Sequence, residues 1–272
     1  MKKLGIIAGA GALPICLVQA CEQMKRPYFV IGLKDCLAKD ALPKNTPLTW
    51  IQLGAVGKGL KLLQKNGAEE VVMIGAVKRP SFTGLLPDFK CLSLLAKYGK
   101  KALGDDALLK ILIKEIEKQG QKVVGIDEIL PHLLIKKGLY GRVIPSEQDM
   151  RDIKRGIEVA RKLGEADVGQ AVIVQQGLVL AVEGIEGTDA LIQRSKDLKR
   201  KGGRGVLVKT AKPQQDRRAD LPTIGLQTVR AAANAGLAGI AVQADSVLFS
   251  EADRAVKLAN QLGIFIIGVE VK

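Results

Sequence analysis

The stretch Leu4-Gly-Ile-Ile-Ala-Gly-Ala-Gly-Ala-Leu-Pro14 decides the fold of the first half of this chain. Its apolar residues from Leu4 to Ala8 predict a buried strand, and the following residues predict a helix from about Leu13 to Met24. A strand, a glycine turn and a helix in this order can point backbone N–H groups at an anion or a ribose. Gly9 and Gly11 are therefore candidate substrate-binding residues.

As a dinucleotide fingerprint this stretch is incomplete, because Pro14 stands where the third glycine belongs. The second predicted strand, Tyr28 to Leu33, is followed by Lys34, where an NAD enzyme carries an acidic residue. We therefore expect contact with a nucleotide here, but not with NAD.

Strands and helices continue to alternate up to residue 126, which predicts a mostly parallel, Rossmann-like sheet. The further predicted elements are strands at Leu48–Leu53, Glu70–Ile74 and Lys122–Ile126 and helices at Val56–Asn66 and Asp105–Gln119. Gly75 and Lys78 follow a strand, where open α/β sheets bind ligands, so both are candidate substrate-binding residues. A solvent-facing loop is the alternative for this segment.

The segment from Pro131 to Pro145 is rich in Gly and Pro, which places a domain boundary there. We predict a Rossmann-like domain at residues 1–136 and a catalytic α/β domain with a β-hairpin at residues 137–272. The elements predicted for this second domain are a capped helix from Ser146 to Leu163, a hairpin of Ala171–Gln176 and Leu178–Val182, a helix at Ala190–Arg200, a strand at Gly205–Val208, a helix at Thr228–Ala235, a strand at Gly239–Val242, a helix at Glu251–Leu262 and a strand at Ile264–Val269.

The composition favours an anionic partner, because the formal net charge is +14 and the pI is about 9.6. Nucleic acid is not expected, since there is no zinc-finger spacing and no RNP-like aromatic motif. No apolar run approaches the length of a membrane span. The cysteines form no C-x-x-C pair, which suits a reduced cytoplasmic protein, and a lone His132 excludes histidine-rich metal centres.

A polar loop from Lys209 to Thr228 lies between a predicted strand and a predicted helix, and loops of this length are usually functional when they are ordered. Its four cations are the side chains that hold phosphoryl oxygens: Lys209, Lys212, Arg217 and Arg218. Asp216 and Asp220 are four residues apart and share one side of the chain, so a hard cation such as Mg²⁺ can lie between them and a phosphate. The alternative is a salt-bridged surface loop.

The run Lys-Pro-x-Gln-Asp-x-Arg-x-Asp-Leu-Pro-x-Ile-Gly-x-x-Thr, from Lys212 to Thr228, resembles the signature of the LpxI family, the bacterial UDP-2,3-diacylglucosamine pyrophosphatases of lipid A synthesis. Further segments resemble that family in the same order: Ile7–Pro14, Gly75–Pro80, Gly104–Asp106 and Glu183–Asp189. The resemblance implies Mg²⁺-dependent hydrolysis of UDP-2,3-diacylglucosamine to UMP and 2,3-diacylglucosamine 1-phosphate. It also implies a substrate held between two domains and attack at the phosphorus on the glucosamine side.

With this resemblance, Asp220 is the first candidate for the catalytic carboxylate and Asp216 the second. The four loop cations are expected to stabilise phosphate charge. The remaining candidates are Gln215, Thr223 and Thr228 for positioning the phosphate, Thr188 for binding substrate, and Glu183 and Asp189 as further Mg²⁺ ligands. Thr188 and Asp189 are alternatively caps of the helix that follows them.

The resemblance also implies a cytoplasmic protein at the anionic inner-membrane surface of a Gram-negative bacterium, and it allows a homodimer. Because the substrate is acylated, an apolar groove is expected, with Leu85-Leu86-Pro87 and Leu92–Leu95 as candidates for it or for the core. Two other functions stay open. One is a nucleotide-sugar transferase or reductase that uses the glycine turn, and the other is a non-catalytic nucleotide- or nucleic-acid-binding protein.

Overall fold

The computed structural model describes residues 1–77, 87–99 and 105–271 and divides into two compact units. Unit 1 contains residues 1–130 and the short segment 216–220, and unit 2 contains residues 131–215 and 221–272. A five-residue piece of the polar loop therefore belongs to the unit formed by the first half of the chain.

Unit 1 is built on a five-stranded parallel sheet of strand order β3-β2-β1-β4-β5. Its strands are β1 (Leu4–Ala8), β2 (Tyr28–Leu33), β3 (Leu48–Ile51), β4 (Glu70–Ile74) and β5 (Lys122–Val123). Its helices are α1 (Leu13–Gln23), α2 (Val56–Lys65), α3 (Phe89–Tyr98), α4 (Asp105–Glu117) and α5 (Ile126–Ile129). The expected Rossmann-like parallel sheet is confirmed.

The core of unit 1 forms where α2 and α4 cover the sheet. Leu60 and Leu63 of α2 and Ile113 of α4 pack against buried strand residues such as Ile31 and Val71. Burial of such aliphatic side chains is worth about 1.5–3 kcal/mol each.

Helix α3 lies against α2 and α4 in this unit. Its residue Leu94 packs with Ile111 of α4, and Val56 of α2 lies beside that pair.

Unit 2 contains a mixed six-stranded sheet of order β6-β13-β11-β9-β7-β8, in which β9, β11 and β13 run parallel. Its strands are β6 (Gly138–Tyr140), β7 (Ala171–Gln175), β8 (Leu178–Val182), β9 (Val206–Lys209), β11 (Gly239–Gln243) and β13 (Phe265–Val269), and β10 (Thr223–Ile224) pairs with β12 (Leu248–Phe249). Its helices are α6 (Glu147–Glu165), α7 (Gly187–Ser195), α8 (Leu226–Asn234) and α9 (Ala252–Leu262). The predicted hairpin is β7–β8.

Several predicted element boundaries differ from the structure. Ile126 begins α5 instead of ending a strand, and the predicted boundary segment contributes strand β6 at the edge of the second sheet. Helix α8 begins at Leu226 and not at Thr228. Thr228 is the third residue after the N-cap Gly225, and its Oγ1 accepts a hydrogen bond from Gly225 N at 3.3 Å. Helix α7 begins at Gly187, which brings Thr188 and Asp189 into its first turn.

Candidate functional site

The glycine turn of unit 1 joins the carboxyl ends of β1 and β4, where the strand order reverses. Ala10 and Ala76 exchange backbone hydrogen bonds of 2.8 and 2.9 Å across the turn. A Cβ atom on Gly9 would lie 2.6 Å from the Ala76 carbonyl oxygen, and one on Gly75 would lie 2.7 Å from that of Ala10. Close backbone contact therefore explains Gly9 and Gly75, whatever ligand binds nearby.

Gly11 differs from these two glycines, because nothing lies within 4 Å of its Cβ position and its φ of +102° favours glycine. Helix α1 starts two residues later, and its N-cap Ala12 provides no side-chain hydrogen bond. The first N–H groups of α1 thus lie at the switch point of a parallel sheet, the usual place for a phosphate or nucleotide. Lys78, the remaining candidate of this region, lies outside the described residues.

Residues 216–220 form a short helical turn in unit 1. The amides of Ala219 and Asp220 both donate to the Asp216 carbonyl, at 3.0 and 3.1 Å. Arg217 pairs with Asp127 at 2.8 Å, and Arg218 pairs with Glu117 at 2.8 Å. These ion pairs, together with the packing of Ala219 against the unit 1 core, fix the turn on unit 1.

Asp216 and Asp220 begin and end this turn, but they have different surroundings. The carboxylate of Asp216 accepts hydrogen bonds from Arg218 Nε at 3.0 Å and Nη2 at 2.8 Å. The Arg218 guanidinium holds the pKa of Asp216 below its usual value. Asp220 is exposed. Asp216 is therefore a carboxylate held by an arginine, and Asp220 is the more accessible of the two.

A buried polar chain occupies the carboxyl end of β9 in unit 2. Lys209 is only 6% exposed, and its Nζ donates to Thr188 Oγ1 and to the Thr223 carbonyl, both at 3.0 Å. Thr188 Oγ1 in turn donates to Glu183 Oε1 at 2.6 Å, and Glu183 Oε2 accepts from Gln170 N at 2.9 Å. This arrangement, Glu183–Thr188–Lys209, orients one ammonium group inside unit 2.

Two buried polar atoms beside this chain have no hydrogen-bond partner. One is Thr210 Oγ1, on the residue after Lys209. The other is Gln170 Oε1, on the residue before β7. Buried polar atoms normally find partners, so these two favour a polar ligand or bound water at this end of the sheet. Neither residue stands out in the sequence, where each reads as an ordinary position at a strand end.

The other loop candidates have mainly local contacts. Lys212 Nζ lies 2.7 Å from Asp167 Oδ1, and Gln215 Oε1 accepts from Lys212 N at 3.3 Å. Thr223 Oγ1 donates to the Leu221 carbonyl at 3.2 Å. Asp189 is exposed in the first turn of α7.

Within the described residues, no group of three or more His, Cys, Asp or Glu side chains could hold a metal ion by itself. Mg²⁺ does not require such a group, because it is commonly held by one or two carboxylates together with substrate phosphates and water. In unit 1, the exposed Asp220 fits a site of that kind together with Asp216, whose two oxygens accept hydrogen bonds from Arg218. Glu183 and Asp189 belong to unit 2, and both oxygens of Glu183 already accept hydrogen bonds.

Sequence comparison places both halves of the chain in one family. The model of the LpxI N-terminal domain matches residues 3–133, and that of the LpxI C-terminal domain matches residues 136–267. The chain belongs to the LpxI family. A relative from Caulobacter vibrioides, named UDP-2,3-diacylglucosamine pyrophosphatase LpxI, is 41% identical over 99% of this chain and 98% of its own length.

Comparison with solved structures adds no argument about LpxI proteins. The Bordetella bronchiseptica enzyme WbmH in complex with NAD+ is 14% identical over 42% of this chain and 36% of its own, with a TM-score of 0.26. The biotin carboxylase subunit of pyruvate carboxylase is 13% identical over 68% and 39%, with a TM-score of 0.23.

Among the described residues, no helix is both long enough and apolar enough to cross a bilayer.

Proposed function

We propose that this protein hydrolyses the pyrophosphate bond of UDP-2,3-diacylglucosamine in lipid A synthesis, with Mg²⁺, to give UMP and 2,3-diacylglucosamine 1-phosphate. The observation that carries the proposal is the helical turn 216–220, in which two carboxylates accompany two guanidinium groups. The name of the full-length relative supports the same substrate. A turn of this composition suits phosphoanhydride chemistry, where charge on phosphoryl oxygens must be neutralised while water attacks.

In this proposal Asp220 is the catalytic carboxylate, because it is the more accessible acid of the turn. It orients the water that attacks the phosphorus on the glucosamine side, and UMP leaves with the bridging oxygen. Asp220 and Asp216 would hold Mg²⁺ at the turn 216–220, and the ion would supply positive charge for the phosphoryl oxygens when bound. Glu183 and Asp189 stay proposed Mg²⁺ ligands within unit 2.

The cations are proposed to stabilise the negative charge of the phosphoryl groups. Lys209 is pre-oriented by Thr188 and Thr223, so its ammonium group can stabilise phosphoryl charge without first losing rotamer freedom. When substrate binds, Arg217 and Arg218 donate to phosphate oxygens instead of to their present carboxylate partners, so each guanidinium group stays paired. The N–H groups of α1 beside Gly11 are proposed to bind the nucleotide phosphate.

We further propose that the protein acts in the cytoplasm at the anionic surface of the inner membrane. Its substrate carries two acyl chains and partitions into a bilayer, and the net charge of +14 favours approach to anionic lipid.

The test is release of UMP from UDP-2,3-diacylglucosamine with Mg²⁺ and then with EDTA, for wild type, Asp220→Asn and the control Asp253→Asn. Asp253 is an exposed aspartate on α9 of unit 2, so its replacement removes the same charge elsewhere. We expect chelation to abolish release and Asp220→Asn to lower kcat by about a hundredfold or more. No release by wild type would refute the proposed function, whereas full activity of Asp220→Asn would refute only the role of Asp220.

The glycine turn at the sheet's switch point keeps a nucleotide-sugar transferase or reductase as the second candidate. A change in NAD(P)H absorbance with UDP-sugars would favour it. Salt-sensitive binding of DNA or RNA without turnover would instead favour a non-catalytic binding protein.

A further inference from the structure

Helix α3 exposes an apolar stripe to solvent. The exposed positions are Phe89, Leu92, Ser93 and Ala96, which follow the i, i+3, i+4, i+7 spacing of one helix face. Phe89 is 88% exposed and Leu92 is 51% exposed. Isolated exposed apolar residues are ordinary, but a phenylalanine and a leucine one turn apart on a stripe without carboxylates form a patch.

The stripe is not a misplaced core face, because α3 has a separate inward side. Cys91 and Leu94 are buried on that side, and Leu95 and Tyr98 pack beside them. Helix α3 therefore has two apolar sides: the inward side stabilises the fold, and the outward side faces solvent.

Three contacts fix the direction in which the stripe points. The Asp88 carboxylate accepts from Cys91 N at 2.9 Å, which caps α3, and from Lys58 N at 3.1 Å, which ties the cap to α2. Glu115 of α4 is buried and contacts Lys90 of α3 at 2.7 Å. Because these contacts hold the N-terminal end of α3 against α2 and α4, Phe89 and Leu92 stay outward without rotation of the helix.

The neighbouring helix α2 carries positive charge. Lys58, Lys61 and Lys65 are all exposed at i, i+3 and i+7, and Lys97 ends the stripe of α3. Helices α2 and α3 together contain five lysines and no Asp or Glu. A lysine row beside exposed Phe and Leu is the composition of helices that lie in the headgroup region of an anionic membrane.

We propose that the α2–α3 face, defined by the exposed residues of these two helices, docks unit 1 on an anionic lipid bilayer. Phe89 and Leu92 enter the boundary between headgroups and acyl chains, and the lysines contact lipid phosphates. The proposal rests on the proposed function in one respect: a diacylated substrate lies in the membrane and explains why the protein would bind there. A bilayer fits better than a protein partner because the lysines match a continuous anionic surface.

The first experiment measures co-sedimentation of the full-length protein with vesicles of phosphatidylcholine alone or mixed with phosphatidylglycerol. We expect binding only to the mixed vesicles, weakening as salt is raised. We expect Phe89→Ser with Leu92→Ser to weaken binding at least about tenfold, because insertion of the two side chains together is worth at least that factor. Phe89→Trp should retain binding, since tryptophan suits the interface.

Matched controls come from unit 2. Ile144→Ser replaces a side chain that is 76% exposed and should leave vesicle binding unchanged. Lys58→Gln with Lys61→Gln should weaken binding to mixed vesicles about tenfold, whereas Lys154→Gln with Lys162→Gln, which removes two exposed lysines of α6, should not. All substituted residues are exposed, and thermal unfolding verifies that each variant folds.

Three results would overturn the proposal: wild type that ignores mixed vesicles, a Phe89→Ser, Leu92→Ser variant that binds like wild type, or a wild-type dimer that this variant converts to monomer. The last result would make the face an interface between copies. UMP release in detergent solution separates the two proposals. Weaker vesicle binding of the Lys58→Gln, Lys61→Gln variant with unchanged release supports docking, and absence of release from wild type would refute the reaction while leaving the vesicle result valid.

Discussion

The ammonium group of Lys209 is the most constrained charge among the candidate residues. A buried lysine loses its hydration, so its charge must be compensated by fixed acceptors. Here the acceptors are a threonine hydroxyl and a backbone carbonyl, and the hydroxyl is itself oriented by Glu183. Glu183 therefore acts on Lys209 through Thr188, as a positioning residue.

This chain of contacts predicts different results for two replacements of Thr188. Thr188→Val removes the link between Lys209 and Glu183, so kcat for UMP release should fall about tenfold to a hundredfold with a smaller change in KM. Thr188→Ser keeps the hydroxyl and should restore most of kcat. Steady-state UMP release measures both, and equal kcat values for the valine and serine variants would contradict the positioning role.

The ion pair of Arg218 with Asp216 predicts a specific dependence of stability on pH. Arg218 lowers the pKa of Asp216, so the stabilisation is fully present above the ordinary aspartate pKa of about 3.9 and is lost as pH falls through the lower folded-state pKa. Arg218→Gln should therefore destabilise the protein at neutral pH and lose its effect in acid.

Urea unfolding across this pH range tests the prediction. The control is Arg254→Gln, since Arg254 is an exposed arginine paired with Glu251 within one helix, and it should have little effect at any pH. An Arg218→Gln effect that is independent of pH would show that the pair does not stabilise the fold through Asp216.

Individual loop residues were predictable from the sequence, but their partners were not. The sequence indicates Lys209 and the two arginines because cations near a strand end favour phosphate. Asp127 and Glu117 lie far away along the chain and are ordinary helix residues in the sequence, so their pairing with Arg217 and Arg218 depends on tertiary structure. The buried side-chain atoms Thr210 Oγ1 and Gln170 Oε1, which have no hydrogen-bond partner, could not be found from residue type either.

At the scale of elements, the packing of α6 on β9 depends on a glycine. A Cβ atom at Gly156 would lie 2.7 Å from Val208 Cβ, which is closer than real side chains approach. Gly59, inside α2, has a different environment: its Cβ would lie 3.4 Å from Ile51 Cδ1, an ordinary contact. Alanine at Gly156 therefore tests the packing of α6 on β9, whereas alanine at Gly59 tests helix propensity alone.

Alanine at each position should have opposite effects. We expect Gly156→Ala to lower the free energy of unfolding by about 1–3 kcal/mol, because α6 must move off β9. Gly59→Ala should raise it by up to about 1 kcal/mol, because alanine is the better helix former. Urea denaturation measures both values, and a stabilising Gly156→Ala would show that α6 can move away from β9 at little cost.

The turn of the β7–β8 hairpin is held by a buried carboxylate from another element. Asp152 of α6 has no exposed surface, and it accepts hydrogen bonds from Gln176 N at 2.8 Å and Gly177 N at 2.7 Å. Asp152→Ala should cost about 3 kcal/mol, since it leaves the two backbone donors of the turn and Gln148 Nε2 without a charged acceptor.

The control for Asp152 lies on the same helix. Asp149 completes the capping box of α6 with Ser146, and Asp149→Ala should cost only about 1 kcal/mol. Thermal or urea unfolding of the two variants gives the comparison, and equal losses would mean that the hairpin does not depend on Asp152.

Elements with strong local patterns were predicted well. The capping box of α6 and the hairpin around Gly177 agree with the structure. The strands β6, β10 and β12 have two or three residues each, too few for a periodic pattern, and exist only through pairing. Helix α3 was missed because apolar residues on both of its sides obscure the single stripe that indicates a helix.

At the scale of the whole molecule, alternating strands and helices were sufficient to predict a parallel sheet in unit 1 and a second α/β unit. Parallel strand direction follows because a helix between two strands provides the crossover that parallel pairing needs, so this feature is predictable without any knowledge of side-chain contacts. Assignment of residues to units was harder, because the turn 216–220 belongs to unit 1 through contacts that no local pattern indicates.

That assignment has a consequence for how the chain is made. Residues 1–130 leave the ribosome long before residues 216–220, so a nascent unit 1 completes its sheet without the turn that covers part of its core. A separate 1–130 fragment should therefore be less stable than the same unit in the full chain, and co-expressed 131–272 should stabilise it in a pull-down or thermal assay. If this holds, unit 1 finishes folding only after the second half of the chain is synthesised. The segment with Asp216 and Asp220 then reaches its final position only once nearly all of the polypeptide exists.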